Sequence, residues 1–215
     1  MDPRERHDRV LTRDEQQQLT PDQVLTLLRE GNARFVAGDV THRDHQAQVR
    51  AAVEGQWPKA IVLSCVDSRI PTEDVFDCGI GDLFVARVAG NFVNVDILGS
   101  MEFACKVSGA KVVLVLGHEH CGAIKGAIDE VELGNLTALL AKIAPAVGET
   151  QHEGPHTSKN PDYVHRVAEQ NVRLNLKRIR AESEVLAALE AEGAIAIVGA
   201  MYDMDDGTVT FLGEG

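Results

Sequence analysis

Two short segments carry the residue types that could do chemistry: Cys65-Val66-Asp67-Ser68-Arg69 and His118-Glu119-His120-Cys121. Each follows an apolar run, Ala60-Ile61-Val62-Leu63 before the first and Val112-Val113-Leu114-Val115-Leu116 before the second. Together they offer two thiolates, one imidazole and one carboxylate, with an arginine beside the carboxylate. That is a full tetrahedral zinc set, or three ligands with a fourth position open to water. Two thiolates and a neutral imidazole cancel the charge of a divalent ion. A water in the fourth position can then ionise near neutral pH. Asp67 has two candidate roles. It could ligate the metal (Cys65, His118, Cys121 and Asp67 as a closed set), or it could pair with Arg69 and accept a hydrogen bond from the bound water.

Each half of this pattern is weak alone. A strand-terminal cysteine is usually a small core residue, and Cys-x-Asp or His-x-x-Cys recurs by chance. A purely structural zinc usually draws on closely spaced Cys-x-x-Cys knuckles, which are absent. A Cys-His nucleophile leaves Asp67, Arg69 and the second cysteine unexplained. The stretch from Gly117 to Lys125 lacks the Gly-Lys-Ser/Thr ending of a phosphate loop. His7, His42, His45, His152, His156 and His165 lie in polar contexts and read as solvated, and His120 reads as an exposed loop residue. Cys78 and Cys105 read as inert small residues.

The elements that must position these groups follow from hydrophobic periodicity. Thr20-Pro21-Asp22-Gln23 is a capping box opening an N-terminal helix over 20–38. Residues 1–19 form a polar arm, disordered or folded only against something else, and 38–50 read as a polar connection. From 58 onward, strands alternate with helices. The strands fall at Ile61–Leu63, Leu83–Val88, Lys111–Leu116, Ala194–Val198 and, after an Asp206-Gly207 turn, Val209–Leu212. Asp96 is a candidate helix cap, a helix starts near Cys121, and further helical pattern covers 134–144 and Pro161–Glu192. This is an α/β fold: a mainly parallel central sheet flanked by helices, an antiparallel edge strand at the C-terminus and an N-terminal helical arm. The expected organisation is one domain over 1–215, with the zinc-binding core at 58–215. Both motifs fall at C-terminal strand ends, where open α/β sheets bind ligands.

The chain has 215 residues, 44% hydrophobic and 25% charged, with a formal net charge of -12. That charge argues against a nucleic-acid or anionic-membrane partner, since both need a basic footprint. No apolar run approaches the roughly 18 residues of a membrane span. The first residues lack a secretory apolar core, so the cytoplasm is the expected location, with thiols rather than disulfides.

At this point the motifs resemble those of the β-class carbonic anhydrases. Cys65-Val66-Asp67-Ser68-Arg69 matches the family's Cys-x-Asp-x-Arg, and Gly117-His118-Glu119-His120-Cys121-Gly122 its His-x-x-Cys with flanking glycines. Arg87-Val88-Ala89-Gly90-Asn91 resembles its Arg-Asn-Ala-Gly-Asn segment, with Val88 in place of the usual Asn, and Tyr202-Asp203 with Gly207 resembles its C-terminal strand pair. The resemblance covers roughly residues 22–213. It implies Zn²⁺ on Cys65, His118 and Cys121, a catalytic dyad of Asp67 and Arg69, and reversible hydration of CO2 to bicarbonate and a proton. It also implies a homodimer or higher homo-oligomer with the active site at the subunit interface, the arm and first helix packing on a partner. Substrate contacts are implied at Gln56, Phe84, Val88 and Gly122. Val62 stands where one subtype carries a Trp for an extra bicarbonate site. Gln56 matches the always-accessible subtype, although Phe103 falls where that subtype often has Tyr. The alternatives are a CS2 or COS hydrolase on the same scaffold, or a non-catalytic zinc-binding protein.

Overall fold

The structure, a computed structural model, describes residues 9–213. Residues 1–8, the outer part of the expected polar arm, lie outside them. The elements run in order α1 (Arg13–Gln18), α2 (Pro21–Ala37), α3 (His45–Ala51), β1 (Ala60–Ser64), α4 (Thr72–Val75), β2 (Leu83–Arg87) and α5 (Val95–Glu102). They continue with a π-helical turn (Phe103–Val107), β3 (Val112–His118), α6 (Gly122–Ile128), α7 (Gly134–Leu140), α8 (Ala144–Glu149), α9 (Pro161–Glu182), α10 (Glu184–Ala191), β4 (Ala196–Tyr202) and β5 (Val209–Phe211).

The five strands form one sheet in the order β2-β1-β3-β4-β5, parallel throughout except for antiparallel β5. β1 and β3 are buried along their whole length, as near-continuous Val/Ile/Leu runs covered by helices on both faces must be. The chain leaves β1 to one side for β2, then returns to the other side for β3. The strand order therefore reverses between β1 and β3. A crevice opens at the C-terminal ends of the strands at such a point, and both motifs stand there.

Several expected boundaries shift. β3 runs on to His118 and β4 to Tyr202, in register with each other (His118 opposite Tyr202), because these residues still pair inside the sheet. The Pro161–Glu192 stretch is two helices. Ser183 ends α9, caps α10 by accepting the Leu186 N–H at 3.2 Å, and donates its hydroxyl to Glu102 at 2.6 Å. Asn94, rather than Asp96, caps α5 through the Ile97 N–H at 2.9 Å. The 38–50 connection contains α3, capped by Asp44. Among the described residues no helix is long and apolar enough to cross a membrane.

The arm is ordered from Thr12 onward against its own chain. Thr12 and Glu15 make a second capping box, and the buried Gln16 amide donates to the Pro58 and Ser108 carbonyls at 2.7 and 2.8 Å. α2 likewise buries Val24, Leu25, Leu28, Gly31 and Asn32 on its own chain. A Cβ at Gly31 would stand 2.0 Å from the Phe76 carbonyl oxygen, so only glycine allows this approach. Asn32 donates to the Val75 and Gly207 carbonyls at 3.1 and 2.9 Å and accepts the Val209 N–H at 2.8 Å. Buried Asp77 closes the docking. It accepts from Arg34 at 2.6 Å, from the Thr41 hydroxyl at 2.7 Å and from Arg43.

Candidate metal centre

Cys65 follows β1, His118 ends β3 and Cys121 is the N-cap of α6. All three are buried, and one donor atom from each lies within 4.8 Å of the others. The His118 ring is oriented by its neighbour. Nδ1 lies 2.7 Å from the Glu119 carbonyl oxygen, which can only accept, so Nδ1 carries the proton. That leaves Nε2 with a lone pair, buried and without a hydrogen-bond partner. A buried polar atom without a partner calls for an explanation. A metal ion fits this one, because second-shell carbonyls fix ligating imidazoles in this way.

The sulfurs match that reading. The neighbouring Cys121 thiol brings the Cys65 thiol down to about 4 against the cost of burial, with help from His118 and the Gly90 and Asp67 backbones. The neighbouring Cys65 and burial push Cys121 up. A thiol and a thiolate side by side beside an imidazole are ready to exchange one proton for a cation. Cys78 and Cys105 stand apart from the site, and burial pushes both up to about 12, as inert thiols require.

Asp67 is not among the clustered donors. Arg69 takes both of its carboxylate oxygens: Nε to Oδ1 at 2.9 Å, Nη2 to Oδ2 at 2.7 Å, and the Arg69 N–H to Oδ1 at 3.0 Å. The Arg69 bond holds the Asp67 carboxyl well below the usual carboxylate range, against the effect of burial. Arg87 fastens the intervening backbone, donating to the Cys65 carbonyl at 2.7 Å and to the Asp67 carbonyl.

The four expected substrate contacts divide. Val88 donates its N–H to the Ser64 carbonyl at 3.2 Å, one residue from Cys65, and Gly122 opens α6 directly after Cys121. Gln56 and Phe84 are not brought to the metal group within this chain. Gln56 precedes β1 and Cys65 follows it; the five-residue strand alone spans about 16 Å. Gln56 is exposed and lines a surface pocket with Arg13, Trp57, Lys106 and Lys111. Phe84 sits within edge strand β2, its ring 6.0 Å from that of Phe103 in an edge contact. His120 is exposed in a left-handed turn (φ 53°). His152 and His165 line a polar cleft of about 600 Å³ with it and Glu119 rather than open surface.

One contributor, Asn171, escapes a reading of the sequence, and two, Arg87 and Gly90, stand in a family-like segment that gives them no role. Gly90 donates its N–H to Cys65 Sγ at 3.3 Å, and Asn171 donates to the Gly90 carbonyl at 2.9 Å. The one local signal was a polar Asn171 on the apolar face of α9, between Ala168 and Val172.

A buried cysteine-histidine-cysteine group at the switch point of a mainly parallel sheet is the donor set of an α/β protein that could hold a metal ion. A family model described as carbonic anhydrase matches residues 60–209. Carbonic anhydrase 2 of Mycobacterium tuberculosis is 37% identical over 186 residues, 84% of this chain and 87% of that one. The carbonic anhydrase of Mycolicibacterium smegmatis is 36% identical over 191 residues, 85% of this chain and 88% of that one. Among solved structures, the β-carbonic anhydrase CafA of Aspergillus fumigatus superposes with a TM-score of 0.70 at 25% identity, covering 90% of this chain and 92% of that one. A tetrameric β-carbonic anhydrase of Sordaria macrospora has the same fold, with a TM-score of 0.69 at 23% identity over 90% of this chain and 98% of that one. The chain belongs to the β-class carbonic anhydrases, metalloenzymes that interconvert CO2 and bicarbonate.

Proposed function

We propose that Cys65, His118 and Cys121 hold one Zn²⁺, and that Asp67 and Arg69 form the dyad that serves CO2 hydration. The observation that carries this reading is the buried, partnerless Nε2 of His118 beside two cysteines. A soft set of two sulfurs and one nitrogen favours zinc over magnesium or calcium. When bound, the ion supplies the Lewis acidity that makes a nucleophile of water near neutral pH.

The chain's own residues do the rest. Arg69 keeps Asp67 ionised and aimed. Oδ1 already accepts two bonds and Oδ2 one, so Oδ2 has a lone pair left to accept a proton-bearing oxygen and orient it. Arg87 holds the Cys65 and Asp67 carbonyls together, so ligand and acceptor move as one unit. Val88 offers an apolar wall for CO2, and Gly122 leaves the α6 terminus open beside Cys121.

Gln56 and Phe84 reach such a site from a second copy of the chain. β2 is a sheet edge. The groove over it is lined by Phe84, Ile97, Val95 and Phe103, with Val95 80% and Phe103 50% exposed. An unpaired edge beside an apolar patch is a surface that a partner covers. We therefore assign a homodimer or higher homo-oligomer with the site at its interface, each chain a single domain working in the cytoplasm.

The ligand set is tested by metal analysis and X-ray absorption on zinc-loaded protein. Two sulfurs at about 2.3 Å and nitrogen or oxygen neighbours near 2.0 Å support it. A site without sulfur, or Cys65→Ser and His118→Ala proteins that keep full zinc, would refute it.

A further inference from the structure

The turn Val88–Asn91 passes directly over Cys65. It is closed by the Asn91 N–H on the Val88 carbonyl at 2.9 Å, and its third residue, Gly90, has φ +79°. A type II turn demands that conformation, and glycine adopts it without strain. This turn aims the Gly90 N–H at Cys65 Sγ, 3.3 Å away. A Cβ at Gly90 would also stand 2.4 Å from Ile143 Cδ1, so another residue there would have to displace that buried side chain.

Helix α9 holds this turn through two buried asparagines one helical turn apart, Asn171 and Asn175. Their amide orientations follow from one another. The Val93 N–H, a donor only, lies 2.7 Å from Asn175 and fixes that contact as Oδ1. Asn175 Nδ2 is then directed to the Asn171 carbonyl at 2.8 Å and to Asn171 Oδ1 at 3.2 Å. With its oxygen engaged, Asn171 presents Nδ2 to the Gly90 carbonyl at 2.9 Å. Each amide has a donor and an acceptor end, so flipping either one sets two like groups against each other inside the core. A buried pair of this kind is costly when half satisfied and rigid when complete.

We infer that Asn171 and Asn175 are positioning residues for the metal thiolate: they hold the Gly90 N–H on Cys65 Sγ and so set how strongly that sulfur donates to the ion. An N–H directed at a thiolate withdraws electron density from it, which leaves the metal more electron-poor and a better Lewis acid. The inference rests on Cys65 being a metal ligand, as proposed above.

The test uses the full-length protein loaded with Co²⁺, whose thiolate-to-cobalt charge-transfer bands report the donor strength of sulfur. In Asn171→Leu the bands should move to lower energy, because the sulfur loses its N–H. A purely structural role for Asn171 lowers Tm and leaves the bands in place, and that result would overturn the inference. Wild-type protein that binds Co²⁺ without thiolate bands would overturn the ligand assignment itself, a different failure. If Asn171→Leu does not fold, cadmium-113 in the wild-type protein decides. Scalar coupling between the Gly90 amide proton and the metal through Cys65 Sγ is expected, and its absence would contradict the inference.

Discussion

The guanidinium of Arg69 spans both carboxylate oxygens of Asp67, at 2.9 and 2.7 Å, two residues after Cys65 of the cysteine-histidine group. In the proposed site this pairing would leave a fourth metal position to water, and it leaves one Asp67 lone pair as an acceptor. Asp67→Asn keeps the shape, replaces one acceptor oxygen with a donor nitrogen and frees Arg69. We expect kcat for CO2 hydration to fall by about 10²- to 10⁴-fold, the range of a positioned acid-base group. Zinc content should stay unchanged. Stopped-flow hydration on metal-assayed protein checks both, and full activity in the variant would end the dyad assignment.

Subunit complementation tests the shared site. Cys65→Ser protein should be inactive for want of metal, and Gln56→Ala protein weakened for want of a substrate contact. If Gln56 acts across the interface, hybrids of the two carry one site with intact Cys65 and intact Gln56. Mixing after dissociation and reassociation should then raise activity above that of either parent. If Gln56 acts within its own chain, no site in the hybrid gains anything, and the activity stays at the average of the parents.

Metal removal should also show in stability. The apo site leaves two buried cysteines sharing one proton and a partnerless imidazole nitrogen. At a free zinc concentration 100 times Kd, binding stabilises the native state by about 2.7 kcal/mol. For a chain of this size that raises Tm by roughly 5–10 °C. Differential scanning calorimetry with and without chelator measures it, and Cys65→Ser should abolish the zinc-dependent increment.

Asp77 fastens the N-terminal segment to the rest of the chain through Arg34, Thr41 and Arg43. Burial alone would raise its carboxyl, but Arg34, Arg43 and Thr41 outweigh it and hold it below its ordinary value. A carboxyl lowered on folding stabilises the native state at pH values above its unfolded pKa. That contribution fades as pH falls through the acid carboxylate range, below about 4. Asp77→Asn removes it at neutral pH and leaves two arginines facing a neutral amide. The cost should be about 3 kcal/mol, the lower end for breaking a buried pair, since Arg34 is partly exposed. Urea unfolding at pH 7 and pH 3 should show the variant weaker than wild type at the first and close to it at the second.

Much of the site could be read from the chain because its signals are local. β1 and β3 are unbroken apolar runs, and Cys65 and His118 stand where those runs stop. The order of the strands then places them at one crevice, which residue spacing alone could only suggest. α1 is hard to read from the chain although Thr12 and Glu15 carry the same capping signal as Thr20 and Gln23. Without an apolar stripe the six-residue helix reads as polar arm, and its one anchor, Gln16, is held by carbonyls 42 and 92 positions away. The anchor of the turn over Cys65 is out of reach for the same reason: Asn171 lies 81 positions from Gly90, and no spacing rule connects them. Gln56 and Phe84 were flagged by family resemblance alone. The geometry of one chain keeps them away from the metal group, and only in the proposed homo-oligomer would they meet it.

The most direct measurement is CO2 hydration by stopped flow from pH 7 to 9, on protein whose zinc content is determined in the same preparation. With Asp67 held by Arg69, activity should be present across the whole range at about one zinc per chain. Activity confined to the alkaline end would mean that Asp67 leaves Arg69 and closes onto the metal at neutral pH, contradicting the open arrangement on which the account rests.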